Sequence, residues 1–273
     1  MDEREIRIKI EQNRNFMKSG FGKQEYVSDQ TKHLPQPPLV KSAVSEVRIP
    51  LTMDFEKVVS NDSYLDLLRR RQSERFYEAA PMTQEQLAFL LWSTQGVKGI
   101  RGNNYATLRT VPSAGGRHPF ETYLAVFDVE GLTPGIYHYL PLDHELEFIK
   151  PVENIREETV AALNGQKWAG KAAVVFFYSA VAYRCEWRYS IGSHRVMLMD
   201  VGHIVENLYL SSGSVGCGTC AIAALDQEKA DSLLGLDGVE EYAVYAAPVG
   251  RSDLKANEQG NKKLYADVVK PSE

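Results

Sequence analysis

A continuous apolar run, AAVVFFYSA at residues 172–180, constrains the fold most strongly. Its β-branched and aromatic residues favour a strand, and the absence of alternating polar residues indicates that both faces of this strand are covered. A chain of 273 residues can bury such a strand in a sizeable core without disulfides or a structural metal. We therefore expect layers of helices packed on a sheet.

Other segments supply the remaining elements. Residues 121–129 and 241–249 resemble strands, and GIYHYL and LEFIK, joined by PLDHE, resemble a hairpin. The segments 98–105 (KGIRGNNY) and 111–120 (VPSAGGRHPF) are rich in glycine and turn residues, and we expect loops there. Ser63 predicts the start of a helix over 64–71, and a capping box of Thr83 and Gln86 predicts a second helix after Pro81. Two more helices are expected over 194–211 and over 227–234, the first from its stripe of apolar residues. The sum is an α+β fold with a mixed sheet.

The first part of the chain differs from the rest. Residues 1–48 carry 9 Lys and Arg and 7 Asp and Glu, with few apolar residues, and the stretch HLPQPPLVKS favours extended backbone. Ile6, Ile10 and Phe16 provide one weak helical stripe. We therefore predict an N-terminal arm at 1–48 that must lie on a larger body to be ordered, and one domain at 49–273.

Charge and composition exclude several classes of protein. The net charge of −5 gives no basic field for nucleic acid, and no apolar run reaches the length of a membrane span. The N-terminus is charged throughout and lacks the apolar core of a signal peptide. Three cysteines make no disulfide scaffold and favour a reducing, cytoplasmic compartment.

The segment RRRQSERFY concentrates positive charge at the end of a predicted helix. Arg71 and Arg75 flank Ser73, and guanidinium groups bind phosphate bidentately while a serine hydroxyl adds a donor. Either this is a phosphate site, or it is a solvated basic helix end that complements the helix dipole.

Two glycine-containing segments could approach a ligand closely. In PSAGGRHPF the paired glycines allow a flat ring to rest on backbone, although a tight turn explains them equally. GCGTCA at 216–221 matches a dinucleotide fingerprint, but it follows a long helix rather than a strand. Its Cys217 and Cys220 could form a redox dithiol or bind metal, although no helix start and no second ligand pair support either role. We predict no metal site.

Taken in order, these segments resemble the nitroreductase family of FMN-dependent oxidoreductases, and within it the SagB-type branch that includes azoline oxidases. The resemblance covers about residues 62–251, and it rests on Arg71-x-Ser73-x-Arg75, LLWSTQG, PSAGGRHP, LTPGIYHYLPLDHEL, the cluster Trp187-Arg188-Tyr189, DVGHIVENL, GCGTCAIAALD and EYAVYAAPVGR.

The resemblance implies a mostly antiparallel sheet flanked by helices and a homodimer with FMN at its interface. It implies that Arg71, Ser73, Arg75 and Arg251 bind the phosphate and ribityl chain. Pro112, Ser113, Ala114 and Gly116 would cover the flavin ring of the partner subunit. Ala223 and Ala224 would place backbone against the flavin N5 edge.

The activity implied is two-electron hydride transfer through flavin N5 to or from a small molecule or a peptide, with NAD(P)H as a candidate reductant. Tyr189 would be the general acid or base, and Arg188 would orient the substrate. Two departures stand out: Gly116 replaces the usual Asn of the loop, and Arg188 replaces the lysine of azoline oxidases. Arginine does not release a proton near neutral pH, which argues against their proton-transfer scheme. The alternatives are a catalytically silent flavin-binding subunit of a peptide-modifying complex and a dithiol redox protein.

Overall fold

A sheet of antiparallel strands forms the centre of the computed structural model, which describes residues 1–22 and 26–264. The strands are β1 (Arg48–Pro50), β2 (Val97–Arg101), β3 (Ala106–Arg109), β4 (Phe120–Val126), β5 (Gly135–Leu140), β6 (Glu145–Lys150), β7 (Val174–Val181), β8 (Cys217–Thr219) and β9 (Glu241–Arg251). Within the described residues, seven of them form one sheet in the order β1-β6-β5-β4-β7-β9-β8. Each neighbouring pair in that sheet is antiparallel, which corrects the mixed sheet expected from the pattern of elements and confirms the mostly antiparallel sheet that the family resemblance implies.

Helices cover both faces of this sheet. In chain order, the helices of the described residues are α1 (Glu3–Phe16), α2 (Tyr64–Arg70), α3 (Gln84–Gln95), α4 (Ile155–Ala162), α5 (Ala182–Tyr189), α6 (Ser193–Ser214), α7 (Gln227–Leu234) and α8 (Leu254–Leu264). On one face, Phe176 of β7 belongs to a core cluster shared with α3 and α6. On the other, Phe177 lies in a second cluster with α4 and α7. The α+β expectation is therefore confirmed, with the apolar run as a strand buried on both faces.

The predicted helix starts are confirmed. The Ser63 hydroxyl accepts a hydrogen bond from the Asp66 amide and begins α2. Thr83 and Gln86 form a reciprocal capping box at the start of α3. Both caps satisfy amide groups that have no partner inside the helix, which explains why the sequence pattern located these ends.

One local prediction is wrong in part. The segment 98–105 is a loop only at 102–105, because residues 98–101 belong to β2, which pairs with β3 as a hairpin with Gly102 and Asn104 at positive φ in the turn. The sequence pattern also does not reveal α5, which ends at Arg188 and Tyr189, and Ser190 at φ 45° turns the chain before α6 begins.

The N-terminal segment divides into two parts. Helix α1 buries none of its residues, whereas residues 26–47 lie along the body of their own chain. Gln30 donates its amide N–H to the Trp187 carbonyl at 2.8 Å, and the Trp187 indole donates to the Leu34 carbonyl at 3.0 Å. This second part therefore covers the end of α5.

Candidate functional site

Two of the predicted residues, Arg71 and Ser73, contact Tyr209 of α6, and together with the nearby Arg75 we call them the arginine cluster (Arg71, Ser73, Arg75 and Tyr209). The hydroxyl groups of Ser73 and Tyr209 are 3.2 Å apart, and the guanidinium of Arg71 lies 5.4 Å from the Tyr209 ring centroid. Tyr209 also accepts a hydrogen bond from the Ala221 amide at 2.8 Å. A tyrosine that sequence reasoning missed thus joins the helix-end arginines to the segment after β8.

The two arginines of this cluster lack carboxylate partners. The Arg75 guanidinium lies 5.7 Å from the Trp168 ring centroid, and among the residues the structure describes neither Arg71 nor Arg75 forms a salt bridge. A guanidinium near aromatic rings and free of carboxylates is well suited to bind an external anion. The fourth predicted ligand, Arg251, differs, because its Nε lies 3.4 Å from Glu78 in an exposed pair. Such a surface pair is weak, about 0–1 kcal/mol.

A cleft of about 460 Å³ lies beside this cluster. The residues that line it include Arg71, Tyr209, the glycine-rich backbone of 216–218, Glu74 and Ser252. The Ser252 hydroxyl donates to Glu74, and burial raises the pKa of this carboxyl. The cleft therefore combines a cationic side with a desolvated acid.

The segment after β8 presents backbone to solvent. Ala223 and Ala224 are exposed, and within the described part of the chain their amide N–H groups have no hydrogen-bond partner. The sequence GCGTCA forms no dinucleotide-binding loop, as its context indicated, since residues 217–219 are an edge strand rather than the start of a helix. Unpaired donors beside small side chains suit a flat polar ring.

The two cysteines next to this segment are poorly suited to redox chemistry. Both are buried, and burial raises the pKa of Cys217 to about 12 and also raises the pKa of Cys220. Because the thiolate is the reactive form, a protonated buried thiol reacts slowly. The structure therefore favours a packing role over the dithiol alternative.

The other predicted residues meet around Asp200 of α6, and we call them the loop cluster (Ser113, Ala114, Asp200, Arg188 and Tyr189). The Ser113 hydroxyl donates to Asp200 at 2.6 Å and the Ala114 amide at 3.0 Å. Ser113 in turn accepts from the His118 amide at 2.8 Å. The Ser113 hydroxyl proton is therefore already donated to Asp200 within the chain. The two other predicted residues of this loop are more accessible, because Pro112 is exposed and Gly116 is half-buried.

Gly115 fixes this loop against the end of α5. Its φ is +59°, and a Cβ there would lie 2.5 Å from Arg188 Nε and 2.6 Å from Tyr189 Oη. Only glycine tolerates both that backbone conformation and that approach. The predicted flavin-covering loop and the predicted substrate-side pair are therefore in direct contact.

The loop cluster has further members that sequence reasoning missed. Arg188 Nη1 donates to the Tyr105 hydroxyl at 2.6 Å and to Gln30 Oε1 at 3.1 Å. Phe21 of the arm lies edge-on to the Tyr189 ring at 5.8 Å. No local pattern marks Tyr105 or Gln30, because they meet Arg188 only through the β2–β3 hairpin and the docked arm.

The two clusters lie apart on α6. Asp200 and Tyr209 are nine residues apart, which in an α-helix means about 13 Å along the axis and opposite sides of it. No hydrogen bond within the described residues joins the arginine cluster to the loop cluster. One chain therefore presents two half-sites rather than one continuous site.

Two negative findings bear on the chemistry. Within residues 1–22 and 26–264, no group of three or more His, Cys, Asp or Glu side chains is placed to hold a metal ion. In the same part of the chain no helix combines the length and apolarity needed to cross a membrane.

Comparisons with known proteins agree with this architecture. The sequence model of the nitroreductase family matches residues 68–251. A protein of Methanocaldococcus jannaschii named as a nitroreductase, MJ1384, is 33% identical over 206 residues, which are 76% of this chain and 96% of the relative. The trifolitoxin-processing protein TfxB of Rhizobium leguminosarum is 29% identical over 65% of this chain, which spans only 50% of TfxB.

A solved structure shows the same fold. It is the Escherichia coli microcin synthetase McbBCD complex with truncated pro-MccB17 bound, with a TM-score of 0.58 and 18% sequence identity. The match covers 91% of this chain and 94% of the matched chain.

Proposed function

Because the chain belongs to the nitroreductase family, we propose that it is an FMN-dependent oxidoreductase of the SagB-type dehydrogenase branch. It acts as a homodimer, and it transfers a hydride to or from a small molecule or a peptide. The observation that carries the proposal is the pair of arginines, Arg71 and Arg75, which form no salt bridge within the described residues of a nitroreductase fold, and of which Arg71 lines the cleft.

The residues present fit FMN. Arg71, Arg75 and the Ser73 hydroxyl would hold the phosphate and ribityl chain, and Arg251 would add charge after exchanging its weak Glu78 contact. The unpaired amides of Ala223 and Ala224 would donate to the ring. FMN would supply hydride transfer at N5.

A dimer explains the two half-sites. Since the clusters lie on opposite sides of α6, a ligand held by the arginine cluster of one protomer can meet the loop Pro112–Gly116 of its partner. Leu65, Leu68, Leu198 and Met199 on α2 and α6 are 43–55% exposed in the single chain. Burying these apolar side chains in a second copy would stabilise the pair by about 25 cal/mol per Å².

The chain itself must exchange the proton that accompanies hydride transfer. The groups able to do this are the tyrosines beside Arg188, Tyr189 at the end of α5 and Tyr105 across from it. Arg188 itself stays charged, because its contacts with these tyrosines raise the pKa of the guanidinium although burial opposes them. It can therefore orient an anionic or polar substrate group.

A peptide is the favoured substrate class. TfxB is named as a processing protein for trifolitoxin, and the McbBCD complex holds a truncated pro-MccB17. The same relatives also favour the second candidate, a catalytically silent flavin-binding subunit of a peptide-modifying complex.

Anaerobic titration of the purified, FMN-loaded protein with NADH and then NADPH separates the two. Bleaching of the flavin absorbance at stoichiometric nicotinamide, followed by recovery with an oxidising acceptor, is expected of the enzyme. A flavin that stays oxidised with NADH and NADPH, and that turns over no substrate after chemical reduction with dithionite, would identify the silent subunit.

A further inference from the structure

The Tyr105 hydroxyl is the point where three distant segments meet. Arg188 Nη1 donates to it at 2.6 Å, and Gln30 Nε2 donates to it at 3.3 Å. Arg188 also donates to Gln30 Oε1 at 3.1 Å. The three side chains form a closed triangle from the hairpin, α5 and the arm.

The two hydrogen bonds that the Tyr105 hydroxyl accepts favour the ionised form of this tyrosine. A hydroxyl that accepts from two donors is better matched as a phenolate than as a phenol. The Arg117 guanidinium lies 4.9 Å from the ring centroid and donates to the Tyr105 carbonyl at 2.6 Å.

The charged groups that act on Tyr105 are Arg188 from α5 and Arg117 from the loop after Gly116, while the arm contributes the neutral Gln30. The hydrogen bond from Gln30, together with these two charges, lowers the pKa of Tyr105 although burial opposes them.

Tyr189 is placed differently. The Arg188 guanidinium lies 5.5 Å from the Tyr189 ring centroid, a contact with the face of the ring. The arm also covers Tyr189, because Tyr26 donates to its carbonyl at 3.2 Å and Phe21 packs on its ring. Arg188 interacts with the side chains of both tyrosines, and its 2.6 Å hydrogen bond goes to Tyr105.

We propose that Tyr105, held by Arg188 and Gln30, exchanges the proton that accompanies hydride transfer, and that Tyr189 packs the site. This inference rests on the proposed function. In the oxidising direction an O–H, N–H or S–H bond of the substrate breaks, and its proton converts the Tyr105 phenolate into a phenol. The hydride of the adjacent carbon, with its electron pair, would go to the FMN of the proposed function, and reduction would reverse both transfers.

The test follows the titration of individual tyrosines in the full-length protein labelled with ¹³C at the tyrosine ring. Wild type should show one signal whose midpoint lies below the ordinary value of about 10. Tyr105→Phe should lose that signal, and Tyr189→Phe should keep it. Arg188→Met should move the midpoint upward, and Arg188→Lys should move it less. Survival of the low-titrating signal in Tyr105→Phe overturns the proposal.

A second variant covers the case in which Tyr105→Phe fails to fold. Gln30→Leu keeps the hydroxyl and removes one donor, so the low midpoint must rise, and an unmoved midpoint also overturns the proposal. Flavin content is read separately from visible absorbance. A protein that takes up no FMN contradicts the proposed function, whereas a low midpoint that belongs to another tyrosine contradicts only the role of Tyr105.

Discussion

At the residue scale, the arginine cluster is where the sequence was most informative. Arg71, Ser73 and Arg75 were singled out from charge crowding alone, and the structure places Arg71 and Ser73 around one tyrosine. The role of Tyr209 could not be predicted, because it lies in an apolar stretch of α6. Only its contacts with Arg71, Ser73 and the Ala221 amide in the folded chain identify it.

Replacing Arg75 tests anion binding. A charge-assisted hydrogen bond is worth about 1.5–3 kcal/mol, so Arg75→Ala should weaken FMN binding by about tenfold or more. Arg69→Ala is the matched control, because Arg69 is an exposed arginine at the same helix end and should leave the affinity within about twofold. Fluorescence titration of apoprotein with FMN measures both, and equal affinity in the two variants would remove Arg75 from the site.

Gly115 tests the contact between the loop and α5. A methyl group there would stand 2.5 Å from Arg188 Nε in a backbone at φ +59°, so Gly115→Ala should destabilise the protein by about 1 kcal/mol or more. Gly165→Ala is the control for backbone strain, since its φ is +77° and nothing lies within 4 Å of its Cβ. Urea unfolding compares them. A loss no larger than that of the control would show that the loop does not press on Arg188.

At the element scale, a buried network fastens part of the arm to the sheet, and we call residues 39–47 the strap. Glu121 of β4 accepts from the Lys41 amide at 3.0 Å, and Glu147 of β6 accepts from the amides of Val44 and Ser45 at 2.7 and 2.9 Å. His138 lies between the two glutamates at 3.0 and 2.7 Å. The strap is therefore bound by carboxylates that the sequence placed in ordinary strands.

This network predicts how stability depends on pH. Burial alone would lower the pKa of His138, but its hydrogen bonds to Glu121 and Glu147 outweigh burial and raise that pKa. Burial alone would raise the pKa of Glu147, but the hydrogen bonds from His138 and from the strap amides outweigh burial and lower that pKa. The glutamate contribution is present above the ordinary value of 4.5 and is lost as pH falls through the lower folded value. The histidine contribution is present below 6.5 and is lost as pH rises through the higher folded value. Unfolding free energy from this network should therefore peak between about pH 4.5 and 6.5.

Removing the histidine should abolish the part of that pH dependence that lies above pH 6.5. His138→Gln leaves Glu147 without its cation, while Glu121 keeps its ion pair with Arg184, and the loss of a buried charged partner costs about 3–5 kcal/mol. His194→Gln, which removes an exposed pair with Glu186, should cost under about 1 kcal/mol. Urea unfolding across pH measures both variants. A difference between wild type and His138→Gln that stays constant as the pH rises above 6.5 would contradict a charged His138.

Among the elements, long periodic segments were predictable and short irregular ones were not. Helix α7 matches its predicted bounds and α6 exceeds its predicted length by a few residues. The β2–β3 hairpin was missed because its turn residues outnumber its apolar ones, so KGIRGNNY signals a turn but not the strands that flank it. Helix α5 was missed, because the predicted helix begins only at His194 and no side-chain cap marks the start of α5.

At the scale of the whole molecule, two half-sites on opposite sides of α6 predict that flavin retention requires a dimer. Met199 is 44% exposed on α6, and Met199→Glu would place a charge in the proposed interface. We expect this variant to be monomeric and to lose flavin. Val239→Glu, at a residue 73% exposed in the turn before β9, should remain dimeric and flavin-bound. Sedimentation velocity with flavin absorbance detection compares them, and a monomer with full flavin would contradict the shared site.

The family and the layered architecture were within reach of the sequence, while the arrangement of the site across the molecule was not. The arginine motif, the glycine loop and the small residues after β8 identify the family in order along the chain. Their division into two half-sites depends on the positions of Asp200 and Tyr209 on opposite sides of α6. The sequence does not reveal this division, because it does not show that Asp200 binds Ser113 and that Tyr209 binds the Ala221 amide. The docking of the arm on α5 depends on contacts such as Gln30 with Arg188, which join residues far apart in sequence.

The most direct test of the central claim is the identity and stoichiometry of the flavin that the protein holds. The purified protein is saturated with FMN, freed of excess by gel filtration, and denatured so that the released flavin can be identified and counted by chromatography. We predict one FMN per chain, and a marked loss in the double variant Arg71→Ala, Arg75→Ala. A protein that retains no FMN after saturation, or a double variant that retains as much as wild type, would contradict the account.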